Sequence, residues 1–173
     1  MLGLMFAFAL LAAPPAQPQS QTPPAPPRTN PCDAPEFRQF DFWLGDWEVK
    51  GPGGRVLGAN TIEPIAGNCG LVENWRGALG GSGRSVNTYE RTDGKWHQAW
   101  VGNGGGLIHF SGDFVGGKMV MTGTTGAGSA VTAHRMTWTP LPGGAVQQVW
   151  ESSTDGGTTW TLGFDGTYSR KRQ

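Results

Sequence analysis

The chain lacks an excess of charge of either sign. Its 13 basic and 13 acidic residues give a net charge of zero, and its one cationic cluster is Arg170, Lys171 and Arg172 at the C-terminus. Binding to nucleic acid needs a basic surface that neutralises phosphates, and electrostatic docking on an anionic membrane needs a polybasic segment. We therefore expect no nucleic-acid partner and no electrostatic membrane docking.

Cysteine and histidine are scarce, which argues against a metal site. The 3 histidines lie on different predicted strands, and the 2 cysteines, Cys32 and Cys69, have no further thiol or histidine at close spacing. The cysteine pair suits an oxidising compartment, where a bridge between them would stabilise the fold by about 4 kcal/mol. The sequence leaves open whether the bridge forms, and it predicts neither a metal nor another cofactor.

A long hydrophobic run occurs at the N-terminus, in residues 1–13. This run is shorter than the roughly 20 residues that a membrane-spanning helix needs, and small residues at Ala12, Ala13 and Ala16 suit cleavage of a secretory signal. We predict a signal peptide over residues 1–16, a Pro-rich disordered linker over 17–35 and one folded domain over 36–173. The mature protein would be secreted or periplasmic, without a membrane span. The sequence does not predict an oligomeric state.

Helical periodicity is nearly absent, and strand signals replace it. Pairs of glycine, among 29 glycines in all, separate short β-branched and aromatic runs. The one predicted helical element is a short turn around Pro35 to Leu44. Short connections make neighbouring strands antiparallel, and closing the sheet removes its exposed edges. We predict an all-β fold: a single antiparallel up-and-down barrel of about ten strands.

One face of the predicted sheet mixes aromatic rings with polar groups. Because side chains alternate along a strand, one parity of four strands collects the same two classes. These residues are Trp75, Tyr89, Trp100 and Trp150, with Glu73, Asn87, Gln98 and Gln148. Such a lining predicts a pocket for a small, partly apolar ligand, with Arg135 pairing with an anionic group. Alternatively, the 8 tryptophans form a packed core and the amides bond one another. The barrel would then be filled, with a structural or envelope-interaction role.

Glu73 is the best isolated titratable group on that face. A carboxyl group buried among tryptophans would have a raised pKa and could act as an acid or base in a hydrolase- or isomerase-like reaction. We expect instead that Arg76, Arg84 or Arg135 pairs with it. No nucleophile elbow is present, so no catalytic residue is assigned, and the sequence leaves open whether the protein is an enzyme.

The motif Gly45-Asp46-Trp47, together with an arginine near the end of the last strand (Arg170), resembles the pattern of lipocalin and calycin barrels. More closely, residues 38–172 resemble secreted bacterial proteins with a lipocalin-like domain of unknown function. The segments FDFWLGDWEV, GLVENWRG, SVNTYERTDGKWHQAWV, RMTWTP and QVWESSTDGGTTWTLGFDGTYSR carry this resemblance. It implies that Trp47 packs across a closed barrel end with Arg170 against it, and it implies no established activity.

One further sequence pattern indicates a turn and not a catalytic element. The segment SSTDGGTTW, Ser152 to Trp160, matches the Asp-box of sialidase-like propellers, but it occurs once, so we predict a hairpin turn centred on Asp155.

The domain also resembles nitrobindin-like barrels in size and strand number. Those barrels place a haem-ligating histidine near the C-terminus, where this chain has none after His134, which leaves His109 or His134 as displaced candidates. We do not expect haem.

Overall fold

The computed structural model describes residues 30–171, so the predicted signal peptide and most of the predicted linker lie outside the described residues. Ten antiparallel strands make up most of this region. They are β1 (Gly45–Lys50), β2 (Val56–Ile65), β3 (Gly70–Gly77), β4 (Ser82–Glu90), β5 (Lys95–Gly102), β6 (Leu107–Val115), β7 (Lys118–Thr125), β8 (Thr132–Pro140), β9 (Val146–Ser153) and β10 (Thr161–Arg170).

The strands close into one barrel. Each strand pairs with its neighbours in sequence, and β1 pairs with β10 through Trp47 to Lys50 and Thr167 to Arg170. The predicted all-β, closed, up-and-down barrel is therefore confirmed, and its architecture is consistent with a lipocalin-like fold. The connections alternate between two ends of the barrel, which we call the closed end and the open end.

Three short 3-10 helices cover the closed end. They span Pro31–Asp33, Pro35–Arg38 and Asp41–Trp43, and the last two lie where the sequence predicts a helical turn. Cys32 is bonded to Cys69 in the β2–β3 turn, with 5.0 Å between the Cα atoms. The disulfide thus fastens the beginning of the cover to the rim of the barrel. No helix in residues 30–171 is long and apolar enough to cross a membrane.

Aromatic rings fill the closed end. Phe40 stacks on Trp43 at 4.9 Å and meets Trp96 and Trp138 edge-on at 5.5 and 5.1 Å. All of these rings are buried. Each aromatic side chain buries roughly 150–250 Å² of surface, so this cluster is the main apolar core of the fold.

Trp47 and Arg170 have the arrangement that the resemblance implies. The Arg170 guanidinium carbon lies 4.1 Å from the centroid of the buried Trp47 ring, and the indole N–H donates to the Trp43 carbonyl at 2.9 Å. Gly45, with a φ of 132°, lies beneath the guanidinium, where a Cβ would be 1.7 Å from Arg170 Nη1. Glycine is therefore required in the Gly-x-Trp motif both for its backbone angle and for space.

The Asp-box segment forms the hairpin between β9 and β10, as predicted. Asp155 accepts hydrogen bonds from the Thr158 and Thr159 amides at 3.0 and 2.9 Å and from Ser153 Oγ at 2.7 Å. These bonds, led by those from Thr159, hold the pKa of the Asp155 carboxyl group well below its usual value. The segment has the geometry of a turn-stabilising motif.

Candidate functional site

A small cavity opens at the end of the barrel opposite the helical cover. Its volume is about 80 Å³, and eight side chains line it: Glu73, Trp75, Trp100, Met136, Gln148, Trp150, Phe164 and Tyr168. Sites for drug-sized molecules measure about 300–1,000 Å³. Side chains thus fill most of the interior of the barrel, and the remaining space admits a small molecule or chemical group.

Glycines on neighbouring strands make room for the aromatic wall of this cavity. A Cβ at Gly58 would lie 2.7 Å from Trp75 Cη2, and one at Gly83 would lie 2.3 Å from Trp100 Cζ2. The Trp75 ring meets Phe164 edge-on at 5.9 Å, across β2 and β1. The large rings therefore lie over small residues of the adjacent strand, which places flat apolar surfaces around the opening.

Glu73 lies at the floor of the cavity without a cation beside it. The side chain is 4% exposed, and within residues 30–171 no basic group forms an ion pair with it. The expected pairing with Arg76, Arg84 or Arg135 is wrong. Each of these arginines alternates with the inward-facing residues of its own strand and therefore lies on the outer face of the barrel. Burial raises the pKa of Glu73 to about 7, against the lowering effect of hydrogen bonds from Asn60 and Ser85.

One arm of a buried network reaches Glu73 from β4 and β5. Gln98 Nε2 donates to Asn87 Oδ1 at 2.8 Å, Asn87 Nδ2 donates to Ser85 Oγ at 3.0 Å, and Ser85 Oγ donates to Glu73 Oε2 at 2.7 Å. Every donor in this arm points towards the carboxylate. The arm therefore stabilises the ionised form of Glu73.

A second arm continues through Asn60 on β2. Asn60 Nδ2 donates to Glu73 Oε1 at 2.7 Å and to the Tyr168 hydroxyl at 3.3 Å. Tyr168 donates to Gln148 Oε1, and Gln148 Nε2 approaches Met136 Sδ at 3.2 Å. Burial, and then the Glu73 charge, raise the pKa of Tyr168 well above its usual value, so this phenol stays protonated.

His134 holds one of the cavity tryptophans in place. Its Nδ1 accepts a hydrogen bond from Trp150 Nε1 at 3.2 Å, and its Nε2 lies 2.8 Å from Thr125 Oγ1. An Nδ1 that accepts from an indole carries no proton, so the neutral tautomer with the proton on Nε2 fits both contacts. Burial lowers the pKa of His134, which favours this neutral form.

The structure separates the predicted site residues into four groups. Glu73, Trp75, Trp100, Gln148 and Trp150 line the cavity.

Asn87 and Gln98 lie below the cavity and reach Glu73 through hydrogen bonds to Ser85. Tyr89 faces the closed end, where its ring meets Phe37 at 5.4 Å and Trp96 at 6.4 Å.

Arg135 lies on the outer face of β8, which corrects its assignment to the ligand pocket. Its Nη2 contacts Glu151 Oε2 at 2.8 Å, and its guanidinium carbon lies 4.3 Å from the centroid of the Trp160 ring. An ion pair and an aromatic ring thus hold the side chain against the outside of the barrel. It cannot pair with an anionic group in the cavity.

Sequence reasoning missed Asn60, Met136, Phe164 and Tyr168 as parts of the site. Met136 alternates with Trp138 on β8, so the alternation carries a signal for its inward orientation. Phe164 is harder to place, because the β9–β10 register shifts between Leu162 and Phe164. Such a bulge reverses the parity that one would count from the hairpin.

Comparisons with known proteins assign no family to this chain. A scan against protein-family models and a search of curated proteins both found no match. The site must therefore be interpreted from its own geometry.

Proposed function

We propose that this protein is a secreted or periplasmic, lipocalin-like barrel that binds a small, partly apolar molecule in the cavity at its open end. The observation that carries the proposal is Glu73: a buried carboxyl group on the floor of an aromatic cavity, with no ion pair to a basic group of residues 30–171. A buried charge without an opposite charge beside it lowers the stability of the fold, and a barrel filled for stability alone would not need a carboxyl group at this position. A binding site explains why it is there.

The surroundings of the cavity support an apolar component in the ligand. Large apolar side chains are exposed in two of the connections at the open end, Leu79 between β3 and β4 and Val131 between β7 and β8. Such side chains would offer apolar contact to a ligand that extends out of the cavity. The disulfide supports an oxidising compartment, as the predicted signal peptide does.

The small cavity volume favours one alternative, a filled barrel with a structural role. Native mass spectrometry of the protein purified from its own host separates the two. A binding protein should carry a small molecule that is released on denaturation. An apo mass, with no stabilisation by a panel of metabolites and lipids, would favour the filled barrel.

Two tryptophans provide a matched pair of variants for that experiment. Trp100 lines the cavity, whereas Trp160 lies outside it under Arg135. Trp100→Ala should reduce occupancy by the bound molecule, and Trp160→Ala should leave it unchanged at equal protein stability. Equal occupancy in both variants would move the binding site away from the cavity.

The pKa of Glu73, about 7, favours a second candidate function as an acid–base enzyme, since proton transfer is most efficient near the working pH. Glu73→Gln would then abolish turnover of the bound molecule while affinity persists. A pure binder would show no turnover in either form and a change in affinity alone.

A further inference from the structure

Among residues 30–171, the side chains that line the cavity include one carboxylic acid and no basic group. Of the eight lining residues, Glu73 is the acid, Tyr168 stays protonated, and the others are aromatic, amide or thioether groups. His134 on β8 accepts a hydrogen bond from Trp150, and burial lowers its pKa, which favours its neutral form. An ionised Glu73 therefore makes the interior of the cavity negative.

Hydrogen bonds from Asn60 and Ser85 satisfy part of the carboxylate, but burial still outweighs them. The missing contribution is a positive charge at close range. The structure does not provide that charge from its own side chains within residues 30–171. A ligand that brings a cation would supply it.

The walls favour the same chemistry. Trp75, Trp100, Trp150 and Phe164 surround the opening, and the faces of such rings attract cations, tryptophan most strongly. Aromatic rings around an acid form the recurring site for organic ammonium groups, whose charge is spread over methyl or methylene surface. An inorganic cation would instead prefer several oxygen ligands, which this lining does not offer.

We propose that the ligand carries a small organic ammonium group, such as a quaternary or methylated amine, with Glu73 as its counter-charge and the tryptophans as its cage. This inference rests on the proposed binding function and adds to it the chemical class of the ligand. The small cavity receives the ammonium head, and the rest of the molecule extends past the aromatic rings at the opening.

The test compares two probes of the same shape. Choline carries a trimethylammonium group, and 3,3-dimethylbutan-1-ol is its uncharged carbon isostere. Binding of each to the purified, disulfide-bonded protein is measured by calorimetry at pH 5 and pH 8. We expect choline to bind at least about tenfold more tightly than the isostere at pH 8, where Glu73 is ionised, and this ratio to fall at least about threefold at pH 5, where Glu73 is protonated and only the attraction of the rings remains.

Two variants locate the effect. Glu73→Gln should lower the ratio at pH 8 to about its pH 5 value and remove its dependence on pH, while Glu63→Gln, the same change on the exposed face of β2, should leave the wild-type ratio unchanged. If Glu73→Gln does not fold, the pH dependence of the wild type alone decides.

The outcomes distinguish this inference from the proposed function. Equal binding of both probes at pH 8 would overturn the ammonium assignment and leave the pocket in place. Binding of neither probe would overturn the assignment, and native mass spectrometry of the host-purified protein would then decide the fate of the pocket separately.

Discussion

Replacing Glu73 by glutamine should change stability in a pH-dependent way. The free energy of unfolding of the variant, minus that of the wild type, should be larger at pH 8 than at pH 4. Burial raises the pKa of this carboxyl group from 4.5 to about 7. Between these values the folded protein holds a proton that the unfolded chain has released. The free energy of unfolding of the wild type therefore falls as pH rises through this window, and glutamine does not share this loss.

The size of the effect follows from the shift. Each unit of pKa difference corresponds to 1.36 kcal/mol, so the shift from 4.5 to about 7 corresponds to about 3 kcal/mol. The difference in free energy of unfolding, variant minus wild type, should rise by about this amount from pH 4 to pH 8 and then level off. Any pH-independent cost of glutamine at this position moves the whole curve without changing its shape.

The assay is urea denaturation of both proteins at half-unit pH steps, followed by tryptophan fluorescence. Contributions of the other titratable groups cancel in the difference, provided that the denaturant slopes agree. Glu63→Gln, on the outer face of β2, serves as the control and should give a flat difference curve. A flat curve for Glu73→Gln as well would mean that ionising the buried Glu73 carboxyl group does not lower the stability of the protein. The reasoning about the site would then fail.

Two further predictions test the cavity wall and the cover. Gly83→Ala places a Cβ 2.3 Å from Trp100 Cζ2 and should lower the free energy of unfolding by about 1–3 kcal/mol in chemical denaturation. Gly81→Ala, with no atom within 4 Å of its Cβ, should leave it unchanged. Equal effects of the two substitutions would show that the Trp100 ring moves aside at no cost in stability. Cys32→Ala removes the bond to Cys69, 37 residues away, and should cost about 4 kcal/mol in the chain-entropy model; an unchanged denaturation midpoint would mean that the cover is held by its aromatic packing alone.

Much of the fold could be predicted because its signals are local. Glycine pairs mark the turns, strand alternation marks the faces, and short connections force antiparallel neighbours, so each step needs a few adjacent residues. The same alternation groups Glu73, Gln98 and Trp100 on one face of β3 and β5, but it does not decide which face lines the barrel, because a register shift of one residue inverts the assignment. The partnership of Cys32 and Cys69 could not be decided, because it depends on how the cover folds back onto the β2–β3 turn.

The site was less predictable because it depends on relations across the barrel. The sequence does not show that Tyr168 on β10 meets Asn60 on β2, since β1 lies between these strands and the barrel must close first. Arg135 is different: Met136 and Trp138 share its strand and are buried, so alternation places the arginine outside. Its assignment to the pocket followed from its charge, and the parity of its own strand contradicts it.

The network around Glu73 argues for a site in which the charge state matters. Ser85 and Asn60 both direct donors at the carboxylate, and the arm behind Ser85 repeats this direction, so the hydrogen bonds suit the ionised form. Burial favours the protonated form and prevails, which leaves the pKa at about 7. A core selected for stability alone would resolve this conflict with an apolar residue or a paired arginine. The conflict instead leaves Glu73 close to a balance between its two forms, so that a small added interaction determines which one is populated. A positive charge in the aromatic cavity would be such an interaction: it would favour release of the Glu73 proton to solvent and stabilise the carboxylate to which the network already donates its hydrogen bonds.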